Sequence, residues 1–110
     1  MIKHIFFLRH FETKNNVNGI LNGQSLEEPI FAGHCIEKCF PFDIIYCSTA
    51  LRCRQTVEWI EGHNKIFFSE QLLERNLGLL EGHSRIEMQK QYPELFDKNR
   101  LNVFATPPEG

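Results

Sequence analysis

Three short, dense apolar runs set the frame of this chain. Residues 2–8 (Ile-Lys-His-Ile-Phe-Phe-Leu) are rich in β-branched and aromatic side chains, and their near-continuous apolar character predicts a strand buried on both faces. Residues 43–47 (Asp-Ile-Ile-Tyr-Cys) and 65–68 (Lys-Ile-Phe-Phe) predict two more. Between them the period changes. Ala50, Cys53, Val57 and Ile60 fall on one stripe at helical spacing, with Ser48 or Thr49 placed to cap the helix and Gly62 to follow it. A second helix is predicted to open at Ser84, where Ser84-Arg85-Ile86-Glu87 fits a capping box, and to stop at Pro93. Residues 34–39 leave room for a short helix only. Strands alternating with helices predict an α/β fold with a parallel sheet and crossover connections.

Composition changes this picture little. The chain has 110 residues, 42% apolar and 24% charged, which suits one globular domain and not a disordered segment. A formal net charge of −2 gives no broad basic surface and argues against a nucleic-acid partner. No apolar run approaches the roughly 20 residues that cross a bilayer, so no membrane span is expected. The start is too short and too soon charged for a signal peptide, which points to the cytoplasm.

Four cysteines raise the question of a metal site. Cys35 and Cys39 lie four apart and Cys47 and Cys53 six apart, neither being the tight pair of a zinc site, even with His34 and His63 as further ligands. Small buried thiols are the expectation, with no metal and no cofactor. Trp59, Ile60, Phe67 and Phe68 are expected in the core. His4 is expected inside a strand, and His63, His83 and Arg54 at the surface.

Ligands of open parallel sheets bind beyond the carboxyl ends of the strands. Arg9 and His10 follow the first apolar run, Ser48 and Arg52 the second, and Glu74 the third after a short loop. Parallel strands therefore deliver all of them to one edge of the sheet. The set makes chemical sense. Histidine, with a pKa near 6.5, offers a free nitrogen lone pair for attack on phosphorus. Two guanidinium groups can hold phosphoryl oxygens, and a carboxylic acid such as Glu74 can protonate the leaving oxygen if its pKa is raised.

Leu8-Arg9-His10-Phe11-Glu12-Thr13-Lys14-Asn15-Asn16 resembles the LRHGETxxN signature of the histidine phosphatase (phosphoglycerate-mutase-like) superfamily. Asn22-Gly23-Gln24 resembles the glycine turn that follows it. Residues 46–56 are similar to the SSPLxRAxQT segment, residues 72–82 to LxExxxGxxEG, and Pro107-Pro108-Glu109-Gly110 to the start of PPxGES. All five occur in family order and span the chain. The resemblance implies a three-layer parallel-sheet phosphoglycerate mutase-like fold over residues 1–110, incomplete at the C-terminus. It implies that His10 is the phosphorylated nucleophile and Glu74 the proton donor. Arg9 and Arg52 become the phosphate clamps, with Asn16 and Gly23 helping to form the phosphate pocket. Glu74-Arg75 matches the Glu-Arg pair of the mutase branch.

Three departures stand out. Phe11 replaces the usual Gly, the stretch from Pro29 to Asp43 is short, and the family's second catalytic histidine has no counterpart before Gly110. The reading is therefore phosphomonoester hydrolysis or phosphoryl transfer through His10, acting on a small phosphorylated substrate and impaired by truncation. Hydrolysis is favoured over a phosphoglycerate-type mutase reaction, because short or divergent family members are more often phosphatases. The alternative is an inactive remnant that binds anions or a protein. An incomplete sheet leaves edges and apolar faces uncovered, which a homodimer would hide.

Overall fold

The computed structural model describes residues 4–25, 28–36, 42–60 and 65–110. Its centre is a β-α-β unit. Strand β1 (Ile45–Ser48) pairs in parallel with β2 (Ile66–Ser69), from Ile45 opposite Ile66 to Ser48 opposite Ser69. Helix α2 (Leu51–Val57) forms the crossover, following the shorter α1 (Lys14–Asn18) near the start of the chain. A parallel pair needs such a connection because its two strands run the same way. The apolar stripe forecast for α2 is found: Ala50, Val57 and Ile60 are buried and Cys53 half-buried. Cys47, Val57 and Ile60 form one core cluster, joined by Ile36, Phe42, Ile45, Cys53 and Ile66.

The cap of α2 is not as forecast. Ala50 occupies the N-cap position without a side-chain bond, while Ser48 Oγ accepts from Ala50 N–H at 3.3 Å. The helix ends at Val57 with Glu58 as its C-cap; Gly62 and His63 lie outside the described residues.

A second cluster gathers the C-terminal half. Leu77, Leu80, Met88 and Leu95 are buried together under Leu21, Tyr92, Phe96, Leu101 and Ala105. Helix α3 (Arg85–Gln91) supplies Met88 and begins with Ser84 at its N-cap, as forecast. The forecast capping box is not made, since Ser84 forms no side-chain cap bond. The helix stops before Tyr92-Pro93, which starts a 3-10 turn (Pro93–Leu95). Beyond it, β3 (Phe96–Asp97) and β4 (Arg100–Leu101) form a small antiparallel hairpin. Its two turn residues, Lys98 and Asn99, both have positive φ, as a twist-matched two-residue hairpin requires.

The main departure concerns the first apolar run. Residues 4–8 carry neither helix nor strand, and Ile5, Phe6, Phe7 and Leu8 are all exposed. Met1–Lys3 lie outside the described residues. An apolar run signals that burial is available on both faces, but a strand also needs a neighbouring edge and covering layers. Among the described residues this sheet has two strands; Phe67 and Phe68 are exposed and Trp59 is 42% exposed, against their forecast core positions, and Tyr46 is exposed as well. The radius of gyration of 15.8 Å exceeds the roughly 13 Å typical of a compact domain of this length, in keeping with those uncovered faces.

Cys35 also departs from expectation, being exposed, while Cys47 is buried and Cys53 half-buried. The short helix forecast for residues 34–39 does not include residues 34–36, where Ile36 instead bridges Ile60; its remainder, with Cys39, is outside the described residues. Among the described residues no group of three or more His, Cys, Asp or Glu side chains is arranged to hold a metal ion, and no helix is long and apolar enough to cross a membrane.

Candidate active site at the strand ends

Because β1 and β2 are parallel, their carboxyl ends share one edge, and a cavity of about 550 Å³ opens there. Arg9, His10, Asn16, Ser48, Arg52 and Glu74 all line it. Of the seven residues that the sequence brings forward for the site, six therefore face one space. The seventh, Gly23, does not line it but accepts a hydrogen bond from Arg52.

His10 enters from the segment after Leu8. Its Nδ1 lies 2.6 Å from the Phe11 carbonyl oxygen. A carbonyl can only accept, so Nδ1 carries the hydrogen and the neutral ring keeps its lone pair on Nε2. Partial burial lowers the His10 pKa from its ordinary value, and the positive charges of Arg52 and Arg9 push the same way against the opposing Phe11 bond. The neutral ring, with a lone pair free, is thus favoured.

The loop bearing His10 is fixed from α2. Phe11 N–H donates to Thr56 Oγ1 at 2.9 Å, and that hydroxyl donates to the Arg52 carbonyl at 2.7 Å. Phe11 is not among the residues with positive φ, so the position usually held by Gly does not demand one here. Its ring packs at 4.7 Å against His34.

Helix α1 follows directly, built on polar contacts. Thr13 and Asn16 form a reciprocal capping box, and Gly19 closes the helix in the left-handed conformation. The bond from Thr13 N–H to Asn16 Oδ1, at 3.0 Å, holds Asn16 at the cavity wall. Asn22, buried and also lining the cavity, accepts from Asn15 Nδ2 at 2.9 Å.

Arg52 is almost fully buried, with 1% exposure. Its Nη1 donates to the Ser25 carbonyl, and its Nη2 donates to the Gly23 carbonyl at 2.9 Å and reaches Glu74 Oε2 at 3.5 Å. Buried Nε has no partner among the described residues. The guanidinium is therefore held by backbone from one side and faces the cavity with donor capacity to spare.

Glu74 follows the 3-10 turn Glu70–Leu72 after β2, its side chain about half exposed. Desolvation raises its pKa above the ordinary value and Glu81 adds to the rise, while Arg52 and Arg9 oppose it. A carboxyl that keeps its proton longer than usual, in the same cavity as an imidazole with a free lone pair, can serve as a proton donor.

Cavity-lining residues to which the sequence assigned no role include Glu12, Asn22 and Arg85. Asn22 belongs to a motif already noted. Arg85 arrives through contacts distant in sequence: its N–H donates to the Gly19 carbonyl at 2.8 Å, and Ser84 bridges Ile20. Arg75, by contrast, does not line the cavity; its Nη1 donates to the carbonyls of Asn102 and Val103 at 3.0 and 2.8 Å.

Residues 31–110 match the family model of the histidine phosphatase superfamily (branch 1). That match includes Arg52 and Glu74 and begins after His10. The chain is 32% identical over 96 residues to a probable phosphatase of Schizosaccharomyces pombe, an alignment covering 78% of this chain and 46% of the relative. It is 30% identical over 103 residues to a broad-specificity phosphatase of Saccharomyces cerevisiae, covering 81% of this chain and 45% of that protein. The chain thus spans less than half the length of either relative. No solved structure matches it significantly.

Proposed function

We propose that this chain, which belongs to the histidine phosphatase superfamily, takes a phosphoryl group from a small phosphomonoester onto His10. The observation that carries this reading is the Nδ1 bond to the Phe11 carbonyl, which leaves the Nε2 lone pair free in a cavity shared with Arg9, Arg52 and Glu74. Nε2 attacks phosphorus and the bond from phosphorus to the ester oxygen breaks. Glu74 gives its proton to that oxygen, and water then releases phosphate from His10. Arg9 and Arg52 hold the phosphoryl oxygens throughout. Hydrolysis is preferred to a mutase reaction. The names of the relatives favour it, and the Arg75 guanidinium that suggested the mutase branch is engaged with backbone carbonyls away from the cavity.

The direct test is hydrolysis of small phosphate esters by the purified chain, alongside intact mass measured for an acid-labile phosphoryl adduct. His10→Ala is expected to abolish the adduct and to lower turnover by a factor on the order of 10³ or more, the scale of losing a nucleophile. No adduct and no turnover from a sample shown to be folded would remove the enzymatic reading. The chain would then stand as a family member that binds anions or a protein, a role its exposed Phe7, Tyr46 and Phe67 favour.

The pH profile follows from the two titrating groups. His10 reacts when neutral, so activity rises as pH climbs through its pKa, which is lowered from 6.5. Glu74 donates when protonated, so activity falls as pH climbs through its pKa, which is raised from 4.5. The product of the two fractions is a bell centred on the mean of the two values. Because one value falls and the other rises, the two shifts offset each other in that mean, whose unshifted position lies below neutrality. A kcat/KM maximum on the acid side of neutrality is expected, and a maximum above pH 7 would contradict the assignment.

A further inference from the structure

We propose that Glu81 is a positioning residue for the proton donor, tying the loop that grips Arg52 to the turn behind Glu74 and setting a negative charge there. The inference rests on reading Glu74 as the donor. Glu81 Oε1 accepts from Gln24 N–H at 2.7 Å and from Leu77 N–H at 3.2 Å. These two amides belong to different parts of the site. Gln24 lies between Gly23 and Ser25, whose carbonyls hold the Arg52 guanidinium. Leu77 lies three residues after Glu74, in the segment that leads from the donor into the C-terminal core. Since Arg52 also reaches Glu74 Oε2, the contacts close a ring: Glu74, its turn, Glu81, the 23–25 loop, Arg52 and Glu74 again.

The space at Gly23 makes the carboxylate's place specific. A Cβ at Gly23 would sit 2.2 Å from Glu81 Oε1, so glycine is what lets the carboxylate reach both amides. A neutral acceptor would satisfy the same two N–H groups. What a carboxylate adds is charge, and Glu81 is among the groups that raise the Glu74 pKa, behind burial as the largest cause. The titratable and charged groups that line the cavity with Glu74 are Arg52 from α2, Arg9, His10 and Glu12 from the N-terminal segment, and Arg85 at the start of α3. Of these, Arg52 and Arg9 pull the Glu74 carboxyl toward ionisation, and Glu81 offsets part of that pull.

The test compares Glu81→Gln and Glu81→Ala in the whole chain, using two readouts that need no turnover. One is the titration of the Glu74 side-chain carboxyl by carbon-detected NMR, assigned with Glu74→Gln. The other is amide hydrogen exchange at Gln24 and Leu77. Glu81→Gln keeps the acceptor and removes the charge, so both amides are expected to stay protected while the Glu74 midpoint moves to lower pH. Glu81→Ala is expected to lose protection at both amides together. His10 is present in parent and variant alike, so the difference between them isolates Glu81. An unmoved Glu74 midpoint in Glu81→Gln would reduce Glu81 to a structural cap and overturn the proposal. Retained protection in Glu81→Ala would overturn the tie between loop and turn. If the alanine variant does not fold, the glutamine titration decides alone. Loss of the phosphatase reading, shown by an adduct-free His10, leaves these readouts intact, so the two failures are distinguishable.

Discussion

Arg52→Met is expected to lower the unfolding free energy by about 2–4 kcal/mol, mostly through the carbonyls of Gly23 and Ser25 rather than through Glu74. The side chain is 1% exposed, and those two oxygens accept from it in or near the protein interior. Methionine fills much of the volume but donates nothing, and each carbonyl left unpaired costs roughly 1–3 kcal/mol, with Ser25 at the low end because water can reach it. The ion pair contributes less. Glu74 is 47% exposed and the contact is long at 3.5 Å, which places it among pairs worth about 0–1 kcal/mol. Two controls follow in urea denaturation. Glu74→Gln should cost less than about 1 kcal/mol. Arg52→Lys should recover little of the loss, because a single ammonium cannot span two carbonyls as a guanidinium fork does. A larger loss in Glu74→Gln than in Arg52→Met would reverse this ranking and make the ion pair the anchor.

Gly78→Ala is the other change expected to act strongly. Gly78 has φ +55°, where an alanine costs about 1–2 kcal/mol. A Cβ there would also lie 2.0 Å from the Pro108 carbonyl oxygen and 2.5 Å from Gly110 N. Both are backbone atoms of a segment already fixed by the bond from Leu79 N–H to the Pro108 carbonyl at 2.9 Å, so no flexible side-chain tip can yield. Overpacking adds roughly 1–3 kcal/mol. The combined loss of about 2–5 kcal/mol is a large part of a typical domain's stability. Gly82→Ala is the comparison, since Gly82 has φ +80° but, among the described residues, nothing within 4 Å of its Cβ position. It should show the conformational cost alone. Equal falls in melting temperature for the two variants would mean that residues 107–110 do not pack on the Gly78 turn.

The parts of the fold legible in the sequence are those whose contacts are local. The β-α-β unit could be read because Ala50, Cys53, Val57 and Ile60 recur at helical spacing between two apolar runs, and its parallel pairing follows from that order. Residues 4–8 depart from the strand that their composition predicts, because composition reports a preference for burial and says nothing of a partner edge. Helix α1 went unseen for the opposite reason: Lys14–Asn18 has no apolar stripe and is held by Thr13, Asn16 and Gly19. The β3–β4 hairpin turns on Lys98-Asn99, which lacks the glycine that usually announces such a turn. In the site, residues at strand ends could be placed by topology, so Arg9, His10, Arg52 and Glu74 were within reach. Arg85 was not, because it meets the cavity through Gly19 and Ile20, more than sixty residues away in sequence. Glu81 lay inside a recognised motif, but its bonds to Gln24 and Leu77 are a product of folding that spacing does not reveal.

The contact between Arg52 and Glu74 ties occupancy of the cavity to uptake of a proton. While the cavity is empty, Glu74 has the guanidinium as its neighbour, and that cation favours the ionised carboxylate. An anion that engages Arg52 puts negative charge where Glu74 had positive charge, so the carboxyl then holds its proton more tightly. Binding and protonation are two views of one free energy. On the proposed reading, anion affinity is therefore expected to rise as pH falls through the range of Glu74, and a bound dianion would hold the proposed donor in the protonated form that it needs to protonate the leaving ester oxygen.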